Sequence, residues 1–310
     1  MAAIAPLPAG CRRSKRPESC TTGLYLCPNS VSVDRRGLCC SGGAAAAGAC
    51  FLGGRVMLID THVHLHECFD RAVFLDAAVI NLSKAARVHD HSEEPGALVL
   101  TEISESGVFE AFAAGQGLPK SWRAELTQGD PEAVWLQRTD GTRLLIVSGR
   151  QIVSAEGLEV LALASRPASL SGQTAKEILA SLGQARIPAV LPWGAGKWLG
   201  RRGRVLQRLL EAGPRGGLFL GDNAGRPAGW PAPSCFGGMP VLPGTDPLPL
   251  AASVRDAGRY GIVLDPAPDP ACPAADLRDR LMRMTKQPPT FGRRCGPVTF
   301  LRRQARLRAG

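Results

Sequence analysis

Alternating apolar and polar positions divide most of the chain into short strands and helices. The opening strand at 56–59 is apolar and runs directly into Asp60-Thr-His-Val-His64. Residues 68–86 carry apolar side chains at helical spacing, which predicts a helix packed on a sheet. The run at 97–102 predicts a second buried strand, and 108–114 a second helix. This alternation indicates an α/β fold.

The middle of the chain has the pattern of antiparallel strands. Strands predicted at 134–138 and 143–148 flank Asp140-Gly141, a dipeptide that is typical of hairpin turns. Further strands at 151–153 and 158–163 extend this hairpin insertion, which covers about 134–163. Helices and strands then alternate again, with predicted elements at 174–184, 187–193, 203–212, 217–221, 241–246, 250–257 and 260–264.

The two ends of the chain differ from this pattern. Residues 1–56 have no helical or strand period and are rich in Gly, Ala, Ser, Pro, Arg and Cys, which predicts a disordered extension. Because Met57 directly precedes the Leu58-Ile-Asp-Thr-His stretch, a natural start at or near Met57 is a further hypothesis. Residues 266–310 are Pro-rich and then basic, which predicts a tail with short helices. Its charges are expected to be solvated, and a helix that touches the body or an acidic partner is the alternative.

The charged residues follow the same division, so the net charge of the whole chain does not describe its middle part. Of the formal net charge of +10, residues 1–56 contribute seven basic against two acidic groups, and 277–310 ten against one, so the middle is slightly acidic. This argues against a nucleic-acid-binding body, although basic tails that bind nucleic acid would show affinity that falls steeply with salt.

No run reaches the ~18 apolar residues of a membrane helix, so no membrane partner is expected. None of the ten cysteines forms a Cys-x-x-Cys pair, which favours reduced thiols and a cytoplasmic protein.

The strand that ends in His62 and His64 is the first candidate for chemistry. Residues two apart in a strand share a face, so the two imidazoles, with His66 as a further candidate, can donate to one cation. Solvated histidines at a polar strand end are the alternative interpretation. The apolar strand and the Asp-Thr pair before His62 favour a metal site. His89 and His91, in a polar loop, are expected to be solvated.

Polar residues also follow the other predicted strands, where loops of a parallel sheet converge on one rim. A basic, Gly-rich loop at 192–204 can hold an anion, or can be a solvated loop whose two tryptophans cap the core. It is not a P-loop, because Trp198 stands where a hydroxyl would meet magnesium. The candidates at this rim are Glu102, Lys197, Arg201, Asp222, Asn223 and Asp246.

Three motifs resemble a known group of enzymes. Asp60-Thr-His-Val-His64 is similar to the opening metal motif of amidohydrolase-like and polymerase-and-histidinol-phosphatase (PHP) hydrolases. Residues 148–151 with 156–162 resemble the Gly-x-Glu hairpin and following strand of PHP domains, and Gly244-Thr-Asp246 resembles their late strand end. The resemblance implies a TIM-like β/α barrel over 57–265, distorted or with fewer than eight strands, and a divalent metal such as Zn, Mn or Fe.

The chain also departs from the family pattern. Gln151 stands where the hairpin would carry glutamate, and Glu159 where the next strand would carry histidine. The strand at 191–193 lacks Ala-His-Pro, and no histidine follows Asp246. The resemblance therefore implies a reduced site of His62, His64 and Asp246.

The leading functional hypothesis is hydrolysis of a phosphoester or amide in a small anionic substrate. In it, His62, His64 and Asp246 hold the metal, and Asp246 or Glu102 orients a water. Lys197 and Arg201, with Asp222 and Asn223 at the same rim, bind the substrate. The competing hypothesis is a catalytically degenerate barrel that serves as a binding or scaffolding module.

Overall fold

The computed structural model describes residues 56–88, 96–103, 106–127, 129–211, 213 and 215–309. The predicted disordered extension lies outside the described residues except for Val56, as do His89 and His91. The helices are α1 (Arg71–Val88), α2 (Val108–Ala113), α3 (Ala175–Gln184), α4 (Gly200–Leu210), α5 (Pro273–Arg283) and α6 (Pro297–Ala309). The strands are β1 (Met57–Val63), β2 (Ala97–Ile103), β3 (Trp122–Leu126), β4 (Ala133–Arg138), β5 (Arg143–Val153), β6 (Glu159–Leu163), β7 (Ala189–Pro192), β8 (Leu218–Asn223), β9 (Val241–Gly244), β10 (Tyr260–Leu264) and β11 (Thr290–Gly292).

The strands form one mixed sheet that curls into a nearly closed barrel. Its order is β11-β10-β1-β2-β5-β6-β7-β8-β9, with the β3–β4 hairpin added along β5. The far end of this path returns to β1: the Thr61 hydroxyl donates to the Pro243 carbonyl at 2.9 Å. The Asp246 amide likewise donates to the His62 carbonyl at 2.8 Å. The histidine motif of β1 and the aspartate motif that follows β9 therefore meet at one seam, the contact between β1 and β9 that closes the barrel.

The predicted α/β class and barrel-like sheet are confirmed, but the regular parallel alternation of a TIM barrel is not clearly present. Strands pair in parallel only at β1–β2, β2–β5, β7–β8 and β8–β9 among the described residues. β6 runs antiparallel to both neighbours. The turn between β5 and β6 is too short for the helical crossover that a parallel pair needs. The predicted hairpin insertion is therefore one place where the parallel order breaks, and the other is β10, which runs antiparallel to β1 and β11.

Three apolar clusters hold helices on the barrel. The inner one joins residues from most strands, such as Ile59, Val147 and Phe219, and includes Leu277 and Leu281 of α5. A second cluster packs α1 and α2 on the outside of β1 and β2, and a third packs α3 and α4 on β6 to β8. The segment after residue 266, which the sequence separates from the barrel domain, thus contributes to the same core.

Capping residues explain where some helices begin. Thr174 and Glu177 form a reciprocal capping box at the start of α3. The Asp130 carboxylate accepts from the Ala274 and Ala275 amides at the start of α5, 2.7 and 2.9 Å away. The four cysteines among the described residues are free thiols. None of the helices in that part of the chain has the length and apolar character needed to cross a membrane.

Candidate metal centre

Three predicted ligands converge where the seam between β9 and β1 ends. The Nε2 atoms of His62 and His64 are 2.9 Å apart. Oδ1 of Asp246 lies 3.6 Å from the first and 3.4 Å from the second. The two histidines are 3% and 6% exposed, and the side chain of Asp246 is 16% exposed. Residues separated by more than 180 positions therefore present two nitrogens and one oxygen to the same point.

This donor set fits a single divalent cation. Tetrahedral zinc ligands about 2.0–2.1 Å from the ion lie roughly 3.4 Å from one another, close to the separations of these three atoms. Burial lowers the pKa of His62 to about 3, so its imidazole is neutral at neutral pH, the form that can ligate a metal. Burial would raise the pKa of Asp246, but the adjacent His62 and His64 outweigh it and hold the pKa well below its usual range. The carboxylate is therefore ionised.

A buried carboxylate beneath the three ligands fixes the seam. Asp60 is fully buried and accepts hydrogen bonds from the Thr245 amide and hydroxyl and from the Gly258 amide. Burial raises the pKa of Asp60 to about 7, although these donors and the His62 amide act in the opposite direction. Asp60 thus connects β1 to the segments on either side of Asp246.

Gly244 allows the closest approach across the seam. A Cβ at this position would lie 2.5 Å from both the Cβ and the backbone nitrogen of His62, far inside van der Waals contact. The chain then turns at Asp246, whose φ of +45° lies in the left-handed region. The Gly-Thr-Asp sequence therefore serves both the packing of β9 against β1 and the placement of the carboxylate.

Asn223 orients the other oxygen of the aspartate. Its Nδ2 donates to Asp246 Oδ2 at 2.9 Å and to the Trp193 carbonyl at 2.9 Å. Because Oδ2 is occupied in this way, Oδ1 is the atom turned towards the histidines. Asn223 was predicted to bind substrate; in the structure it contacts the candidate ligand and also lines a cavity with Lys197.

Lys197 lies at the rim of a cavity that reaches the aspartate. The cavity has a volume of about 210 Å³ and is lined by residues that include Trp193, Lys197, Asn223 and Asp246. The Lys197 ammonium is partly exposed and pairs with both carboxylate oxygens of Glu159 at 2.6 Å. Glu159, which stands where the family pattern has histidine, therefore holds the lysine.

Glu102 makes a structural contact that the sequence did not predict. One carboxylate oxygen accepts from the Ser106 hydroxyl and from the amides of Val108 and Phe109, at the start of α2. The other oxygen is buried without a hydrogen-bond partner among the described residues. Glu102 lines a second cavity of about 160 Å³ together with His64 and His66. It therefore faces the centre from the β2 side without joining the three-ligand group.

Two other predicted binding residues lie outside both cavities. Asp222 pairs with Arg226 in a buried bidentate contact, at 2.6 and 2.7 Å, and accepts from the Tyr260 hydroxyl. Its oxygens are thereby committed to the fold. Arg201 is exposed on α4 and lines neither cavity. Sequence position at a strand end did not predict these partners.

His66 is engaged beside the ligands rather than with them. Its Nε2 is 2.8 Å from the Pro247 carbonyl, and its ring meets Phe69 edge to face. Burial lowers its pKa. β1 ends at Val63, just before His64, so His66 lies three residues beyond the strand, where the alternation that aligns His62 with His64 no longer holds.

The sequence also missed a wall of the larger cavity. Phe300, Arg303, Gln304 and Leu307 of α6 line it opposite Lys197. Their spacing of i, i+3, i+4 and i+7 places them on one helical face. That face mixes apolar, charged and amide side chains, so no hydrophobic period marks it.

Comparisons with known proteins add little to this geometry. No protein-family model and no curated protein matches the chain. Among solved structures it is similar to PsfC from Pseudomonas syringae PB-5123, with 15% sequence identity and a TM-score of 0.47. That alignment covers 82% of this chain and 99% of PsfC.

Proposed function

We propose that the protein is a metal-dependent hydrolase that acts on a phosphoester or amide of a small anionic substrate. The observation that carries the proposal is the convergence of His62, His64 and Asp246, whose ligand atoms all lie within 4.8 Å of one another. Two imidazole nitrogens and one carboxylate oxygen suit Zn, Mn or Fe. When bound, such an ion supplies an acidified water as nucleophile.

The side chains around the ligands have distinct roles in this proposal. Asp246 orients the nucleophile through Oδ1, and Asn223 keeps that oxygen in place by holding Oδ2. Glu102, whose second oxygen has no hydrogen-bond partner among the described residues, is the alternative group to orient the water, from the cavity that it lines with His64. Lys197 attracts the substrate anion into the larger cavity.

A degenerate barrel that binds without turnover is the second candidate, and two observations favour it. Asp222, a carboxylate at the same rim, is occupied by Arg226, and Gln151 beside His62 offers an amide where the family has glutamate. In the part of the chain that the structure describes, only one cluster of three or more metal-ligating side chains is present. Metal binding without hydrolysis would support this candidate.

Replacing His62 and His64 together by alanine is expected to remove bound metal. Two of the three ligands are lost, and one carboxylate alone holds a divalent cation weakly. The measurement is metal content by mass spectrometry after loading with Zn, Mn or Fe and desalting. Replacing His89 and His91 together by alanine is the matched control and should retain the wild-type content. Equal metal in wild type and the H62A/H64A variant would refute the site.

Turnover is tested separately with chromogenic phosphomonoester and anilide substrates. The metal-loaded protein is expected to hydrolyse one of these classes, and the H62A/H64A variant neither. Activity that survives in this double variant would show that hydrolysis occurs elsewhere. Absence of turnover in a metal-loaded wild-type protein would favour the binding module.

A further inference from the structure

The last helix of the chain closes the cavity that reaches Asp246. Arg303 and Gln304 of α6 face Lys197 and Asn223 across about 210 Å³. Drug-sized ligands occupy pockets of ~300–1,000 Å³, so this cavity suits a smaller group. Its shape depends on α6 staying in place.

Backbone and side-chain contacts hold α6 against the barrel. Before the helix, the Cys295 amide donates to the Ala224 carbonyl at 2.7 Å, and the Ala228 amide donates to the Cys295 carbonyl at 2.8 Å. At its first turn, the Phe300 and Trp230 rings lie 5.1 Å apart. The helix is therefore anchored next to β8, the strand that carries Asn223.

The charges along this wall are unevenly balanced. Arg303 Nη2 lies 2.7 Å from Asp256 Oδ2, so the two side chains form an ion pair. The geometry of this contact is not that of a hydrogen bond. Asp256 also pairs with Arg259 at 2.9 Å. One carboxylate thus faces two guanidinium groups, so Asp256 does not neutralise both of them. The cavity lining itself has two basic side chains, Lys197 and Arg303, and the carboxylate of Asp246, and Lys197 is also paired with Glu159.

We propose that α6 completes the substrate pocket and that Arg303, together with Lys197, binds a phosphate-type oxyanion of the substrate, an inference that rests on the proposed function. A guanidinium presents several N–H donors in a planar fork that matches phosphate oxygens, and the lysine adds a point charge. The side chain of Arg303 is 17% exposed, so it meets the anion in a partly desolvated setting where such contacts are stronger. Arg303 thereby takes the role that sequence position assigned to Arg201.

Phosphate binding to the full chain tests this proposal. Titration calorimetry with inorganic phosphate, in protein stripped of metal and in protein loaded with zinc, is expected to show binding that Arg303→Gln weakens about tenfold or more. Arg302→Gln removes the same charge from an exposed position one residue away and should change the affinity less than about twofold. An unchanged affinity in R303Q, or a wild-type protein that binds no phosphate, would overturn the proposal.

Two further variants separate ligand binding from a structural role. Asp256→Asn breaks the ion pair but leaves the guanidinium, so phosphate affinity should be kept or improved. Arg303→Lys keeps the charge and loses the fork, so it should weaken phosphate binding while the thermal midpoint stays near wild type. If D256N loses phosphate binding as much as R303K does, Arg303 acts only through the fold and the proposal fails.

The result is independent of the metal experiment. Phosphate binding by the metal-free protein requires neither His62 nor His64 as ligands. Metal retention in the H62A/H64A variant would refute the proposed hydrolase site. The dependence of phosphate affinity on Arg303 would still be tested by the calorimetry of R303Q.

Discussion

Replacing Gly244 by alanine is expected to abolish metal binding and to lower the free energy of unfolding by about 3 kcal/mol or more. The added methyl group would lie 2.5 Å from the backbone nitrogen and from the Cβ of His62. Both neighbours belong to a buried strand that cannot move without disturbing the barrel core. The clash can be relieved only by separating β9 from β1.

Separation at this seam would affect function as well as stability. The Asp246 amide donates to the His62 carbonyl at 2.8 Å, so the same displacement carries the third ligand away from the two histidines. Urea unfolding and metal content measured on one preparation test both effects together. The closing seam would not be essential if G244A kept both its metal and its stability.

Gly183 offers a matched control for that substitution. It lies in α3, where a Cβ would meet no atom within 4 Å. Alanine is favoured over glycine in a helix by up to about 1 kcal/mol, so Gly183→Ala should be neutral or slightly stabilising. If G244A is strongly destabilised and G183A is not, the loss at Gly244 is due to its close approach to His62 and not to the glycine-to-alanine change itself.

Local patterns predicted the ligands but not their surroundings. His62 and His64 could be paired from sequence because alternation along a strand is a local property. Asp246 was one of several strand-end candidates, and only the resemblance singled it out as a ligand, because its approach to the histidines depends on barrel closure between β9 and β1. Glu102 and Asp222 show the opposite case: both follow strands as expected, yet nearby partners, the α2 amides and Arg226, occupy their oxygens.

The fold was predictable to a similar degree. Strong apolar strands and the Asp140-Gly141 turn were found from sequence, whereas β3 and β11 were missed. β3 is an edge strand with only Trp122 buried, so burial leaves no alternation to detect. The position of α6 depends on contacts of Cys295 and Phe300 with residues about 70 positions earlier, which no local pattern records.

Asp60→Ala is expected to destabilise the protein by about 2–4 kcal/mol and to weaken metal binding. The substitution leaves the buried amides of Thr245 and Gly258 without their acceptor, and each unsatisfied group costs about 1–3 kcal/mol. Relief from burying the carboxyl group offsets part of this cost, because burial raises the pKa of Asp60 to about 7. Thermal unfolding and metal content measure the two effects.

Asp279→Ala provides the control for Asp60. Asp279 is exposed on α5, so its removal should change stability by less than about 0.5 kcal/mol. A wild-type melting curve for D60A, with metal retained, would contradict the role of Asp60 in holding the seam.

Asp60→Asn distinguishes the acceptor role from the charge. The amide keeps one oxygen, which can still accept from one of the two backbone amides, but its NH₂ group cannot accept from the other. We therefore expect D60N to lie between wild type and D60A in stability. If D60N matched wild type, the carboxyl group would act as a neutral acid in the folded protein, because only then does an amide reproduce its hydrogen bonding. If D60N matched D60A, both oxygens would be needed as acceptors, and the seam that places Asp246 would depend on an ionised carboxylate.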